Sequence, residues 1–226
     1  MPIGAEHSPE DFEAWWRNYE AELHKSIVTA EEHLEVPPGT ISSIPNDSDF
    51  VATVKMYAVI EPILNELIAS RPPQGTLSWL PTSPSEVENF RTFVTALNVE
   101  GRAGKLKLAE GMGLLTENRI AFIRAVTQVR NRYAHNVRNM HRLLEDILME
   151  EQRNNARIVE HLTGIRLPLM PSPSKRQSDL LKRFMYYRLA DYLSEALHTL
   201  RPPPPPPNEG GLLGGLFGTQ PPTREK

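Results

Sequence analysis

Residues 116–135 of the chain, TENRIAFIRAVTQVRNRYAH, form the most regular stretch of the sequence. The apolar side chains in this stretch recur at steps of three or four residues, at Ile120, Ile123, Val126, Val129 and Tyr133. Because a helix turns once in about 3.6 residues, this spacing places them on one side of an amphipathic helix. The stretch therefore predicts a helix that buries one face in a core built with other helices.

The apolar spacing continues beyond this helix, through Val137 and Met140 to about Leu162. A single helix over that whole length would be about 69 Å long at a rise of about 1.5 Å per residue, which is too long for one small domain. We therefore predict a break near Asn136 to Asn139.

Other segments also predict helices, and none alternates in the manner of a β-strand. The predicted helices cover about residues 8–33, 47–70, 85–97, 105–112 and 177–200. The second of them is expected to bury the stripe Val51, Val54, Tyr57, Ala58, Leu64, Leu67 and Ile68. Pro62 lies inside that helix and predicts a kink or a restart near Glu61. The fold class is thus all-α, a helical bundle.

Composition divides the chain into three parts. Residues 1–40 hold an N-terminal helix, residues 46–200 form the helical bundle, and residues 201–226 are a Pro/Gly-rich C-terminal tail that we predict to be disordered. The tail begins with six prolines after Arg201, which would act as a stiff spacer for the short apolar run GGLLGGLFG. That run is interpreted either as a tolerated, solubilising terminus or as a short motif that binds a partner.

The residue inventory limits the chemistry that the chain can perform. It has no cysteine, which excludes disulfides, thiolate metal sites and cysteine nucleophiles. Its seven histidines lack the spacing of metal ligands, so neither a metal site nor a cofactor is predicted. No leader-like start and no long apolar run occurs, and we therefore expect a cytoplasmic protein without a membrane partner.

Charge is distributed unevenly along the chain. The net charge of −3 argues against a general nucleic-acid coat protein. Residues 101–142 nevertheless carry nine basic and only two acidic side chains. These arginines and lysines are interpreted as a solvated helix face that pairs with the acidic stretch Glu145 to Glu151.

The best candidate for chemistry is the pattern Arg130-Asn131-x-x-x-His135 at the end of the central helix. Asn131 and His135 are four residues apart and share a face, and a long arginine side chain can reach around to join them. A polar stripe along this face is Arg124, Gln128, Asn131, His135 and Arg138. The alternative is a structural role, because polar and cationic side chains often form hydrogen bonds with the free carbonyl groups at a helix C-terminus.

Glu61 is a second residue of interest, because it sits on an apolar stripe between Tyr57 and Leu64. A carboxylate in such a place needs a partner. We predict pairing with Arg130 or Arg124 across the bundle, and the alternative is a helix cap created by Pro62.

Residues 89–137 resemble the C-terminal helices of the HEPN superfamily, and most closely its mannitol operon repressor branch. That branch has a Lys-x-x-Leu-Ala-x-x-x-Gly-Leu run and, about 20 residues later, Ile-Arg-x-x-Arg-Asn-x-Phe-Ala-His. The matching positions here are Lys105 to Leu115 and Ile123 to His135, with Tyr133 where phenylalanine is usual.

The resemblance implies an HEPN-like bundle that forms a homodimer and cleaves RNA without a metal ion. His135 would be the general acid and base, Arg130 would stabilise the phosphate, and Asn131 would be a polar helper. The supporting or binding residues would be Arg124, Arg138, Glu61 and Tyr133. Expected partners are RNA, a second copy of the chain, and an antitoxin or regulatory protein, and the activity would be that of a toxin or a stress or defence effector.

The resemblance also allows a reading without catalysis. The mannitol repressor branch is regulatory, so the same bundle could bind a protein or nucleic acid without cutting it. One toxin branch carries a tyrosine two positions after the histidine, where this chain has Val137. Regulation by modification of such a tyrosine is therefore not expected.

Overall fold

A computed structural model describes residues 9–71, 83–150, 155–165 and 175–200, with side chains described from residue 17 onwards. These residues form eight α-helices and two short 3₁₀ turns, Ile44–Asn46 and Val137–His141, without a strand among them. The helices are α1 (Pro9–His33), α2 (Asp49–Ala69), α3 (Pro84–Ala96), α4 (Lys105–Gly111), α5 (Glu117–Ala134), α6 (Leu144–Met149), α7 (Asn155–Thr163) and α8 (Lys175–Leu200). The all-α prediction is confirmed for this part of the chain. The Pro/Gly-rich tail, predicted to be disordered, lies outside the described residues.

Helix α2 lies at the centre of the bundle and packs against α3, α4, α5 and α8. Its core face consists of side chains at most 1% exposed, among them Met56, Ile60, Ile63, Leu64 and Leu67. Burial of so many large apolar groups on one helix is the main reason why the other helices assemble around it.

The stripe predicted for α2 is partly wrong. Leu64, Leu67 and Ile68 are buried as expected, but Val51 and Val54 are 37% exposed and Ala58 is exposed. The helix also continues through Pro62 without a restart near Glu61.

Helix α5 begins after Thr116, and its apolar stripe is buried, as its spacing predicts. The helix packs against α2 and α7. It ends at Ala134, with His135 as the C-cap residue. The chain then enters the 3₁₀ turn, where the side chain of Asn136 accepts a hydrogen bond from the Arg138 N–H at 3.0 Å. The predicted break near Asn136 to Asn139 is therefore confirmed, and Val137 is 75% exposed instead of extending the buried stripe.

A buried ion pair joins α2, α6 and α8. Lys182 contacts the Asp49 carboxylate at 3.1 Å and donates to the Asp47 carbonyl at 2.6 Å. The other Asp49 oxygen accepts the Leu144 N–H at 2.7 Å. Both charges are buried, and these bonds offset the cost of removing them from water.

The N-terminal helix shares the core of the bundle. Leu23, Ile27 and Ala30 of α1 are buried in the same apolar cluster as the residues of α8. The following loop is held by the Glu31 carboxylate, which accepts backbone N–H groups from Gly39 and Ile41 at 2.8 and 2.6 Å. None of the described helices combines the length and apolarity that a membrane span requires.

Candidate functional site

Arg130 is fixed in place by two contacts at the end of α5. Its guanidinium lies 4.7 Å from the centre of the Tyr57 ring on α2, a distance suited to a cation–π interaction. One Nη also donates to Oδ1 of Asn131 at 2.9 Å. The structure therefore brings together two of the three residues of the predicted motif and holds their polar groups in a defined orientation.

Charged and polar side chains continue from Tyr57 along α2 to α4. The negative charge of Glu61 acts on the Tyr57 phenol, and Glu61 Oε1 lies 2.6 Å from Nζ of Lys105 on α4. Burial of Tyr57, together with the negative charge of Glu61, raises the pKa of the phenol, although the charge of Arg130 opposes this. An ion pair, the charge of Glu61 on the phenol and a cation–π contact thus link four residues in sequence, Lys105, Glu61, Tyr57 and Arg130, which we call the α4–α2–α5 network.

The predicted partner of Glu61 was wrong. The carboxylate pairs with Lys105, whose side chain is fully buried, instead of with Arg130 or Arg124. Among the described residues, Tyr57 lies between Arg130 and Glu61 and interacts with both. The alternative interpretation, a helix cap created by Pro62, is also not seen, because α2 is continuous at that point.

Arg124 lies two turns before Asn131 on the same helix and faces two carboxylates of neighbouring segments. Its guanidinium is 3.6 Å from Glu110, and its positive charge also acts on Glu100. Burial raises the pKa of the Glu100 carboxyl, and Arg124 opposes that shift. Arg124 remains 42% exposed, so it can still reach a ligand.

His135, the third motif residue, stands apart from this network. Its backbone N–H bonds to the Asn131 carbonyl at 2.9 Å, which closes the last turn of α5. The side chain is exposed, and within the described ranges no hydrogen bond or ion pair holds the imidazole. Arg138 is likewise exposed, on the 3₁₀ turn that follows. One helical turn, a rise of about 5.4 Å, separates the His135 backbone from that of Asn131.

Tyr133 belongs to the core and not to the surface. Its ring is fully buried and meets Phe50 edge-on, with 5.7 Å between the ring centres. Its hydroxyl donates to the Arg142 carbonyl at 3.3 Å. Burial raises the pKa of this phenol, so it stays protonated. The residue supports the end of α5 from inside, and a ligand at the surface does not reach it.

A polar groove of about 640 Å³ lies between α5 and α7. Three residues of the predicted polar stripe line it, namely Arg124, Gln128 and Asn131. His135 and Arg138 do not, because they come after the end of the groove-forming helix. We call this feature the α5–α7 groove.

Three further lining residues were not singled out from the sequence: Arg132, Arg157 and His161. Arg157 and His161 are four apart on α7, a spacing that places them on one helical face and could have revealed them. Partial burial of His161, followed by the charge of Arg157, lowers the pKa of its imidazole, and Glu160 opposes this. The imidazole is therefore predominantly neutral at neutral pH.

Comparisons with known proteins do not identify a relative. No family model matches the chain, no curated protein matches it, and no solved structure matches it. The HEPN resemblance therefore stays a prediction. Within the described part of the chain, no group of three His, Asp or Glu side chains converges in the manner of metal ligands.

Proposed function

We propose that the chain is an HEPN-type, metal-independent RNA endonuclease that acts as a homodimer. The observation that carries the proposal is the arrangement at the end of α5. Arg130 is anchored by Tyr57 and Asn131, and one turn later an unrestrained imidazole, that of His135, is exposed. A fixed cation and, about one helical turn further along the chain, an accessible imidazole supply the two chemical functions that phosphodiester cleavage requires.

The reaction needs no group beyond those side chains and the RNA itself. The ribose 2′-hydroxyl attacks the adjacent phosphorus and gives up its proton to a neutral imidazole, while the bond from phosphorus to the 5′-oxygen breaks. The leaving oxygen takes a proton from a protonated imidazole, and the products are a 2′,3′-cyclic phosphate and a 5′-hydroxyl. Arg130 would donate hydrogen bonds to the phosphorane oxygens, where negative charge develops.

A homodimer would supply both protonation states at once. One imidazole would act as the base and that of the second copy as the acid, since a histidine side chain can either take up or release a proton in catalysis. The exposure of His135 on a single chain, beside the exposed Val137 and the half-exposed Met140, is compatible with such a pairing. Asn131 would keep Arg130 directed at the phosphate.

The test is an RNA cleavage assay in EDTA with end-labelled single-stranded RNA. Wild-type protein is compared with His135→Ala and Arg130→Ala, and His141→Ala serves as the control because His141 is also exposed and lies outside the motif. We expect cleavage by the wild type and the control and loss of cleavage, by about 100-fold or more, in both motif variants. A gel in which RNA stays intact in every lane, or in which the motif variants cut as fast as wild type, would refute the proposal.

A second candidate is a regulatory module that binds a partner without catalysis. It is favoured by the restrained state of Arg130, whose guanidinium already makes two contacts within the chain. Under this hypothesis the wild-type protein leaves RNA intact. Arg130→Ala then lowers the free energy of unfolding of the bundle by about as much as it lowers the free energy of partner binding.

A further inference from the structure

The α5–α7 groove has an excess of positive charge. Arg124 and Arg132 enter it from α5 and Arg157 from α7, and Glu117 is the acidic residue among its lining. With His161 neutral, the lining carries two more positive than negative charges. Such a balance inside a concave surface attracts an anion and is not explained by the core packing of either helix.

The three arginines differ in how much freedom they have. Arg132 donates to the Ile147 carbonyl at 3.2 Å and is held near the wall. Arg124 has a long, exposed contact with Glu110, of the kind that contributes little to stability. Arg157 is exposed at the groove. Arg124 and Arg157, on opposite walls, can therefore turn their guanidinium groups towards a ligand at small cost.

The remaining lining indicates what the rest of the ligand would be. Asn118, Gln128 and Asn131 present amide groups that both donate and accept hydrogen bonds, and Ala125 and Ile158 add a small apolar surface. Amides of this kind suit hydroxyl groups. The groove volume of about 640 Å³ falls within the range of small-molecule sites, roughly 300 to 1,000 Å³.

We propose that the α5–α7 groove binds a small molecule that carries a phosphate monoester, with Arg124 and Arg157 on the phosphate and the amides on hydroxyl groups. A phosphate monoester has three free oxygens and a charge between about −1.5 and −2, so it can accept hydrogen bonds from both guanidinium groups at once. A single carboxylate has only two oxygens and one negative charge, and a halide offers no directional acceptor for the planar guanidinium fork. This inference stands without RNA cleavage, because the groove lining contains Asn131 of the motif but neither His135 nor Arg130.

Isothermal titration calorimetry on the full chain at low salt tests the inference. The probes are glucose 6-phosphate and adenosine 5′-monophosphate, which differ in the organic part, with glucose and citrate as probes that lack phosphate. Arg157→Gln and Arg124→Gln remove one groove cation each, and Arg91→Gln on α3 removes an exposed arginine elsewhere. Circular dichroism checks that all variants keep the wild-type helix content.

We expect saturable binding of at least one phosphate monoester, weakened about tenfold or more by each groove variant, since each removes a charge-assisted hydrogen bond. Arg91→Gln should bind like wild type, and glucose and citrate should bind far more weakly. The inference is overturned if neither monoester saturates, if citrate binds as tightly as both, or if Arg91→Gln weakens binding as much as Arg157→Gln.

Discussion

The Lys105–Glu61 ion pair gives the sharpest test of the α4–α2–α5 network. The Lys105 side chain is fully buried, and its Nζ lies 2.6 Å from Glu61 Oε1. Replacing Glu61 with glutamine removes the charge that compensates the buried ammonium and keeps the size of the side chain. Replacing Lys105 with methionine removes the buried charge itself.

The magnitude follows from the distance and the exposure. At 2.6 Å and an effective dielectric constant of about 20, two unit charges attract by about 6 kcal/mol. Desolvation of the ammonium cancels much of this attraction, and water screens Glu61, whose side chain is 34% exposed. We therefore expect Glu61→Gln to lower the free energy of unfolding by about 2 kcal/mol, but to change it by less than about 0.5 kcal/mol when Lys105 is already methionine.

The assay is a double-mutant cycle measured by urea unfolding and followed by circular dichroism. The matched control is the cycle for Lys107 and Glu110, a pair on the same helix at 2.8 Å that is exposed on both sides. That cycle should show no measurable coupling, because water and salt screen such pairs. A Lys105–Glu61 coupling as small as that of the control would refute the argument that burial makes this pair strong.

Three further predictions concern stability. Burial raises the pKa of the Glu31 carboxyl, but hydrogen bonds from three backbone N–H groups outweigh this effect and lower the pKa below the ordinary value of 4.5. The ionised carboxylate therefore stabilises the fold fully above pH 4.5, and this contribution is lost as the pH falls through the folded-state pKa. Acid unfolding of Glu31→Gln should accordingly show a weaker pH dependence than that of the wild type. Asp49→Asn should lower the free energy of unfolding by about 3 kcal/mol, since it removes the buried countercharge of Lys182 and leaves only the half-exposed carboxylate of Asp179 beside it. Asp179→Asn should have little effect in the same urea experiment, because that carboxylate is screened by water. Tyr133→Phe should cost at most about 1 kcal/mol in thermal unfolding and leave RNA cleavage unchanged, because it removes only one long hydrogen bond inside the core; a cleavage defect would instead assign the hydroxyl to the site.

The sequence was informative where one helix face is apolar and the opposite face is polar. Helix α5 has this pattern, and its start after Thr116 and its end near Asn136 were both predicted. Helix α2 is apolar nearly all round, so its periodicity fits several stripes. The packing of α5 and α8 decides which side chains of α2 are buried, such as Met56 and Ile60, and which are exposed, such as Val51. That information is not present in the local pattern.

The electrostatic partners were predictable in kind but not in identity. A carboxylate on α2 needs a cation, and this requirement alone drew attention to Glu61. Arg130 or Arg124 was predicted as the partner across the bundle, but the position of α4 determines that the cation beside Glu61 is Lys105. Lys105 lies 44 residues away in sequence and reaches Glu61 because α4 packs on α2. The basic residues of α7 were missed for a related reason, since the long apolar pattern after α5 obscured where α7 begins.

The two ends of the predicted motif, Arg130 and His135, depend on different parts of the fold. The orientation of Arg130 is determined by α2, through Tyr57, and indirectly by α4, through Lys105 and Glu61. His135 depends only on the C-terminal turn of α5, which closes through the Asn131 carbonyl. Asn131 is the residue that both ends contact, and it also lines the α5–α7 groove. A ligand in that groove that competes for the Asn131 amide would therefore release one of the two contacts on Arg130 and leave the backbone of His135 unchanged.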